Sequence, residues 1–360
     1  MKSVNVLGLR EREEWDDFIS VLPDSTFYDT YEWAEILRAG AGITPFFLGF
    51  WKDKKLAVIW PSSIVPAFGG NVLSCYSTTN AAPLVKDGVT LECLNDIVEY
   101  VLSDAKKYDL LHWSFEAPRG SYFTNFADML GFSDAPSSRC TWRLDTTFTS
   151  DVLWKKLASQ ARTAVRRAKK SSLEVRISAE SDDLDTFLFH IFPSTVERAR
   201  GLYGIRHPDS LLPLLIRLEN EQKMKLFLAA HNGKMVAGAL FFLHKQNVHW
   251  WIGGSYPGSW GLRPNELLMW SVIEWASECG YHNLDLGPAP SDQAHGLNTF
   301  KRHLGAEKLE LVRFTLPVRR LKDAVCTNLV GAYTKAREWG LVPSLVASRF
   351  PRSKDVRFDL

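Results

Sequence analysis

A carboxylate and an ammonium group, Asp285 and Lys301, sit in one short stretch of this sequence where chemistry on an amine could be staged. Asp285 falls near the end of the apolar run Tyr281–Leu286, which reads as a buried strand. A carboxylate at a strand end can orient an amine or take its proton, and it serves equally well as a turn or cap residue. Lys301 lies in Thr299–Leu304, a short helix closed by Gly305. Its ammonium is a mobile point charge with three donors, suited to a phosphate or a developing oxyanion. The adjacent Phe300 is expected to anchor the helix in the core while Lys301 turns to a cleft. His295 before this helix and His303, two residues after Lys301, read either as bases or as ordinary surface residues.

Upstream, the run from Tyr256 through Pro257, Gly258, Ser259, Trp260, Gly261, Leu262, Arg263 and Pro264 to Asn265 has the composition of a loop. Gly258 and Gly261 permit positive φ and close backbone approach, and Pro264 suits the first turn of a helix. A loop entering a helix leaves N–H groups unpaired and aims the positive helix end at one place, an arrangement that favours phosphate, pyrophosphate or carboxylate. Tyr256, with Trp250, Trp251 and Trp260, offers flat aromatic faces for an acceptor groove or for the core.

A second cluster is cationic. Between Trp154 and Lys170 there are seven basic residues and no acidic one. At ~100° per residue, Lys155, Arg162, Arg166 and Lys169 form one stripe, and Leu153, Leu157, Ala161, Ala164 and Ala168 the opposite face. One face packs and the other is a cationic rail, either a solvated surface or a phosphate-binding edge carried by guanidinium forks. Arg162 and Arg166 are expected to point into a cleft between two domains.

The elements that must position these residues alternate in type. Glu13–Leu22 and Tyr31–Leu37 read as helices, Thr44–Trp51 and Leu56–Val65 as a hairpin, and Val72–Tyr76 as a strand. Leu91–Tyr108 and Tyr122–Leu130 read as helices, and Leu110–Phe115 and Thr141–Leu144 as strands. After the basic helix, Asp151–Lys170, the style repeats. Leu173–Ile177 is a strand, Asp182–Arg200 and Pro208–Glu219 are helices, Met224–Ala230 is a strand, and Met235–Leu243 with Val248–Gly253 form a hairpin. A helix with Leu267, Leu268, Val272, Trp275 and Ala276 at helical spacing leads to the Asp285 strand, the Lys301 helix and a last strand, Leu309–Leu316. Val318–Trp339 reads as a helix, followed by a basic tail from Val342.

Several of these residues form a pattern: Asn265-x-Leu267-Leu268-x-Trp270-x-x-Ile273-x-Trp275-Ala276, then Gly280, Asp285-x-Gly287, and Gly296-Leu297-x-x-Phe300-Lys301-x-x-x-Gly305. It resembles the C-terminal half of FemAB-like proteins of the GNAT superfamily. Arg162-x-x-x-Arg166-Arg167-Ala168-x-Lys170 is similar to the basic segment that joins their two halves. The Arg/Gln-x-x-Gly-x-Gly/Ala loop of ordinary acetyl-CoA-binding GNAT enzymes is absent. The resemblance implies an α/β fold (α+β mixed sheets) of two tandem GNAT-like domains. The expected layout is an N-terminal domain over 1–149, a basic connecting helix over 150–171, a C-terminal domain over 172–317, and a C-terminal helix and tail over 318–360.

The activity it implies is N-acyl transfer to an amine, with peptidoglycan bridge formation in the cell envelope as the family's best-known use. The reaction needs a deprotonated amine, oxyanion stabilisation and a firm hold on a large anionic donor or acceptor. Asp285 is assigned to the first and Lys301 with backbone N–H groups to the second. Arg162, Arg166, Tyr256, Gly258, Gly261, Asn265 and Phe300 are assigned to binding. The donor that the resemblance implies is an activated, aminoacyl-tRNA-like ester, and the alternative is coenzyme A or an acyl-CoA as cofactor. A phosphate-containing envelope precursor is a candidate partner. A rival from another class is a nucleic-acid-binding or assembly module without chemistry, whose affinity would fall with salt for all sequences alike.

Composition narrows the classes. The chain has 360 residues, 46% hydrophobic and 23% charged, enough for two cores. Its five cysteines make no C-x-x-C pair and have no histidine at zinc spacing, so neither a metal site nor a disulfide framework is indicated. No apolar run approaches the ~18 residues of a membrane span, and a cytoplasmic protein without stable membrane insertion is expected. The net charge of +2 decides nothing about polyanions, so that argument rests on the local cluster.

Overall fold

In the computed structural model, residues 2–75, 80–86, 88–180, 182–198, 205–292 and 296–338 are described. The readings at His295 and in the tail from Val342 lie outside them. The chain divides into two compact units that interleave in sequence. The first takes residues up to Ala34, Ile43–Ser137 and those from Leu311 on. The second takes Glu35–Gly42 and Ser138–Glu310. This differs from the linear layout expected above: the basic segment lies within the second unit, and the last strand belongs to the first.

Along the chain, β1 (Lys2–Val6), α1 (Arg12–Val21) and α2 (Tyr31–Ile36) open the first unit. Trp15, Phe18 and Ile19 are the buried stripe of α1, spaced as an amphipathic helix requires. A π-turn, Leu37–Ala41, follows, and then β2 (Thr44–Pro45), β3 (Leu48–Lys52), β4 (Lys55–Trp60), β5 (Ser63–Ala67), β6 (Gly70–Ser74) and β7 (Leu84–Val85). β3 and β4 form the expected hairpin, with Asp53 and Lys54 at positive φ in the turn. Next come α3 (Leu91–Asp104), β8 (Leu110–Pro118) and β9 (Ser133–Asp145). The helix expected over Tyr122–Leu130 is instead two short 3₁₀ turns, Tyr122–Asn125 and Asp128–Leu130.

β8 is buried along nearly its whole length, so its two faces show what each side of the sheet asks for. Leu111, Trp113, Phe115 and Ala117 alternate with His112, Ser114 and Glu116, at the period of a strand. Trp113 and Phe115 join Trp60, Phe123, Phe132 and Phe314 in an aromatic core. On the polar face, Glu116 accepts from Arg313 Nη2 at 3.1 Å, and His112 Nδ1 lies 2.7 Å from Asp323 Oδ1.

The second unit contains α4 (Ser150–Lys156), α5 (Ser159–Lys170), β10 (Leu173–Ile177), α6 (Asp183–Thr186), a π-turn (Phe187–Ile191), α7 (Phe192–Arg198) and α8 (Pro208–Asn220). It continues through β11 (Met224–His231), β12 (Lys234–His244), β13 (Asn247–Ser255), α9 (Pro264–Glu278), β14 (Asn283–Pro290) and α10 (Gly296–His303). β10, β11, β12 and β13 are antiparallel neighbours; β14 then pairs parallel with β13 and antiparallel with β9. β15 (Glu307–Pro317) returns to pair with β8, and α11 (Arg320–Glu338) is the last described helix.

The basic stretch is two helices, because Leu157 and Ala158 leave the helical region at ψ 141° and 151°. Leu157 is buried, and the Ala158 N–H donates to the His303 carbonyl at 2.9 Å. Tertiary contact, not a proline or glycine, sets this break. Near α6, Gly238 lets the Phe187 ring lie on β12: a Cβ there would meet the ring at 2.6 Å.

Asp183 ties this region to β10. Its carboxylate takes both terminal nitrogens of Arg176, at 2.6 and 2.7 Å, and the N–H groups of Ala179 and Glu180. Burial opposes ionisation, but these donors outweigh it and hold the pKa at about 2. A depressed folded-state pKa gives stability that is present above the ordinary value near 3.8 and lost as pH falls through about 2. Thermal unfolding of Asp183→Asn should accordingly decline less steeply than the wild type's between about pH 4 and pH 2.

Candidate active site

β13 and β14 pair at Asn247–Asn283, Val248–Leu284 and His249–Asp285, and the pairing stops there. Beyond it the strands diverge. Gly287 takes φ +73°, the register of β14 against β9 shifts between Asp285 and Pro288, and the two strands lead to helices at their carboxyl ends. An opening at the carboxyl ends of parallel strands is where open α/β sheets bind ligands.

Lys301 occupies this divergence. It is 2% exposed, and Nζ donates to the carbonyls of Gly287 and Pro288, both at 2.8 Å, with the Trp250 ring 5.7 Å away. The expectation that Lys301 turns outward while Phe300 anchors the helix is thus reversed. Asn298 and Lys301 are the buried residues of α10, and Phe300 is half-buried at the wall of a cavity. The physical reason is the β14 irregularity, whose carbonyls need a donor that the sheet does not supply. Burial pulls the Lys301 pKa down to about 7, opposed by Asp285 and by the Cys140 thiol.

Asp285 is 8% exposed and already committed. Its Oδ1 accepts from the Gly287 N–H at 2.7 Å and from Thr141 Oγ1 at 3.1 Å. It acts here as the turn residue that holds the bulge, the second of the two readings open in the sequence. His249 Nδ1 stands 4.0 Å from its Oδ2, and burial depresses that imidazole to about 4, so it is neutral near pH 7. Asn298 closes the cluster: its side-chain oxygen accepts from Trp142 Nε1 at 2.8 Å, and its amide donates to the Pro290 carbonyl at 2.7 Å.

Beside the divergence lies a cavity of about 510 Å³, lined by Ser159, Gln160, Ala161, Thr163, Ala164 and Arg167 of α5, Arg263 and Glu266 at the start of α9, and Phe300, His303 and Leu304. Two helix N-termini meet it. At α5, the N-cap residue Ala158 has no side chain able to cap the first-turn N–H groups, and that turn holds no acid. At α9, Arg263 adopts φ 62° as N-cap and its Nη1 sits 3.6 Å from Glu266. The cavity can therefore hold an anion with two guanidinium groups and free backbone donors.

Of the residues assigned to binding, Phe300 lies at the cavity wall. Arg162 and Arg166 do not, and the register of α5 explains why. Ala161, Val165 and Ala168 face the core, where the sequence reading had placed Ala164 instead of Val165. This turns Gln160, Ala164 and Arg167 to the cavity flank and Arg162, Arg166 and Lys169 to the other. Arg162 Nη1 instead grips carbonyls at the end of α4, those of Lys155 at 3.1 Å and Leu157, and Arg166 stacks 5.5 Å over Trp154. Tyr256, Gly258, Gly261 and Asn265 also lie off the cavity lining. Pro257–Leu262 is a 3₁₀ helix in which neither glycine has positive φ and a Cβ at either would meet nothing within 4 Å. Asn265 Nδ2 donates to Ser255 Oγ at 3.1 Å. Arg167 and Arg263 were therefore missed. A signal for Arg263 existed in its place directly before the helix-opening Pro264. The signal for Arg167 was its place in the basic motif Arg162-x-x-x-Arg166-Arg167-Ala168-x-Lys170.

Among the described residues no group of three or more His, Cys, Asp or Glu is placed to hold a metal ion, and no helix is long and apolar enough to cross a membrane. No curated protein matches the sequence. Residues 155–302 match the acetyltransferase (GNAT) domain. The crystal structure of FemX superposes with a TM-score of 0.69 at 16% identity, covering 90% of this chain and 100% of that one. The C-terminal domain of a putative lysylphosphatidylglycerol synthetase from Agrobacterium fabrum gives 0.58 at 14% identity, over 88% and 96% of the two chains. A tandem GNAT protein of the clavulanic acid biosynthesis pathway gives 0.57 at 12%, over 88% and 99%. Residues 155–302 thus match a GNAT domain, and the fold of the chain is that of FemX and of the tandem GNAT protein.

Proposed function

We propose that the protein moves an aminoacyl group from an anionic ester donor, of the aminoacyl-tRNA kind, to the amine of an envelope precursor. The observation that carries this reading is the cavity beside the β13–β14 divergence. Its Arg167, Arg263 and uncapped α5 N-terminus suit phosphate, and its half-buried Phe300 suits a base or an acyl group. Attack of the amine on the ester carbonyl develops an oxyanion, and in this reading the Lys301 ammonium, held in the divergence, is the charge that stabilises it. Two of its N–H groups are bonded to Gly287 and Pro288, which fixes its position in advance of the reaction. In this scheme Asp285 holds the bulge and balances Lys301; the neutral amine forms the C–N bond, the ester C–O bond breaks, and the donor's oxygen leaves as a hydroxyl, taking up through solvent the proton that the amine nitrogen gives up.

A coenzyme A donor is the second reading, favoured by the GNAT domain match. Against it, the two β14 carbonyls in the divergence are already satisfied from within by Lys301, so the amides of a coenzyme A arm gain no partner there. Equilibrium binding of coenzyme A and of a short RNA ending in the aminoacylated acceptor sequence separates the two. Tight binding of coenzyme A, with none of the RNA, overturns the aminoacyl reading.

A further inference from the structure

The cavity lies on one face of the second unit's sheet, and strand alternation shows what stands on the other. Cys140, Trp142 and Leu144 of β9 join Leu284 in the core that also carries Phe300 and Leu304 of the cavity wall. Arg139, Thr141 and Arg143 therefore turn to the opposite face, as residues two apart on a strand do. Cross-strand register sets them against Pro290, Pro288 and Asp285 of β14, the strand that borders the divergence. The Thr141 hydroxyl fixes the facing, since it donates to Asp285 Oδ1 at 3.1 Å.

Arg143 is the unusual member of this row. It is half-buried, yet among the described residues its guanidinium makes no hydrogen bond, ion pair or ring contact. Asp285, directly opposite, directs its oxygens elsewhere: Oδ1 to the Gly287 N–H and Thr141, and Oδ2 toward His249 at 4.0 Å. Burial is the main cause of the low His249 pKa; Asp285 opposes it and the charge of Arg143 adds to it, in keeping with a guanidinium close to the ring. A charge taken partly out of water without a counter-charge carries a cost that a bound anion removes. Arg139, two positions away, adds a second guanidinium to the same face.

The two faces meet where β13 and β14 part, and Lys301 enters that gap from the cavity side. A donor held in the cavity leaves the far face to the acceptor. Resting on the reading of this divergence as the place of acyl transfer, we infer that Arg143, with Arg139 beside it, binds an oxyanion carried by the acceptor. The acceptor is then an amine that bears a carboxylate or phosphate a few bonds away. With neighbouring strands about 4.8 Å apart, an anion at Arg143 lies on the order of 5–10 Å from the gap, the span of a short aminoalkyl chain.

The test is calorimetric titration of the full chain near pH 7 with three amines and no donor: Nα-acetyl-lysine, its carboxamide, and O-phosphoethanolamine. The wild type should bind at least one of the two anionic amines about tenfold or more tighter than the carboxamide, and the tighter of the two tells carboxylate from phosphate. Arg143→Met should bring the anionic amines down to the carboxamide's affinity at an unchanged melting temperature, and Arg143→Lys should restore part of the difference. No preference for either anionic amine in the wild type, or a preference that Arg143→Met keeps, overturns the inference. Because no donor is present, this result is separate from the donor's identity. Binding that depends on Arg143, with no transfer to these amines from an aminoacylated RNA, counts against the aminoacyl reading and leaves the acceptor site standing.

Discussion

Lys301→Ala is expected to cut aminoacyl transfer by about 100-fold or more, the scale at which loss of one preorganised oxyanion donor is felt. It should also lower the melting temperature. The side chain is 2% exposed and satisfies two carbonyls, so truncation leaves a cavity and unpaired acceptors at about 1–3 kcal/mol per group. Lys301→Met separates the two roles: it restores volume without charge and should recover part of the stability with none of the turnover. The pH response gives an independent check. Activity that depends on the ammonium should fall as pH rises through about 7, where burial places its pKa. Stability should move the other way. A lysine whose folded pKa is depressed binds fewer protons when folded, so its unfavourable burial is relieved as pH rises from about 7 toward its ordinary 10.5. Wild-type transfer by Lys301→Met would remove Lys301 from the chemistry and leave it as the support of β14.

Arg167→Glu/Arg263→Glu should weaken donor binding by about 100-fold, since two charge-assisted contacts are both lost and reversed. Both residues line the cavity with solvent-facing groups, so the melting temperature should change by little. Arg162→Ala is the informative comparison. It removes the grip on the end of α4 and should lower stability by about 1 kcal/mol while leaving donor affinity unchanged. If the Arg162 variant loses affinity and the Arg167/Arg263 pair does not, the cavity is not the donor site and the rail reading from the sequence regains its place.

The contrast between Arg162 and Arg167 also shows what the sequence could and could not disclose. Strands such as Leu173–Ile177 and the hairpin of β12 and β13 followed directly from alternation and turn residues. Local pattern carries that information. The facing of α5 did not, because Ala161 and Ala168 face inward in both readings, and taking Ala164 or Val165 as the third inward residue turns the helix by only about a third of one residue's ~100°, a choice that a row of alanines hardly biases. Lys301 was found by motif and misplaced by rule: a lysine beside a phenylalanine is normally the outward partner. Here the irregularity at Gly287 creates acceptors that a neighbouring helix must satisfy. That demand is tertiary, as is the break at Leu157, where the Ala158 N–H finds a partner from α10.

The interleaving of the two units has a consequence in time. β8 needs β15 as its antiparallel neighbour, from Leu311–Pro118 to Pro317–His112, yet all of 138–310 is synthesised between them. The unit that leaves the ribosome first is therefore completed last. Until Pro317 emerges, one edge of β8 is open while a second folding unit of the same chain is being made beside it, and open strand edges of this kind invite mispairing. Expression yield should consequently depend on slow elongation or chaperone cover over that interval more than on the stability of the finished protein.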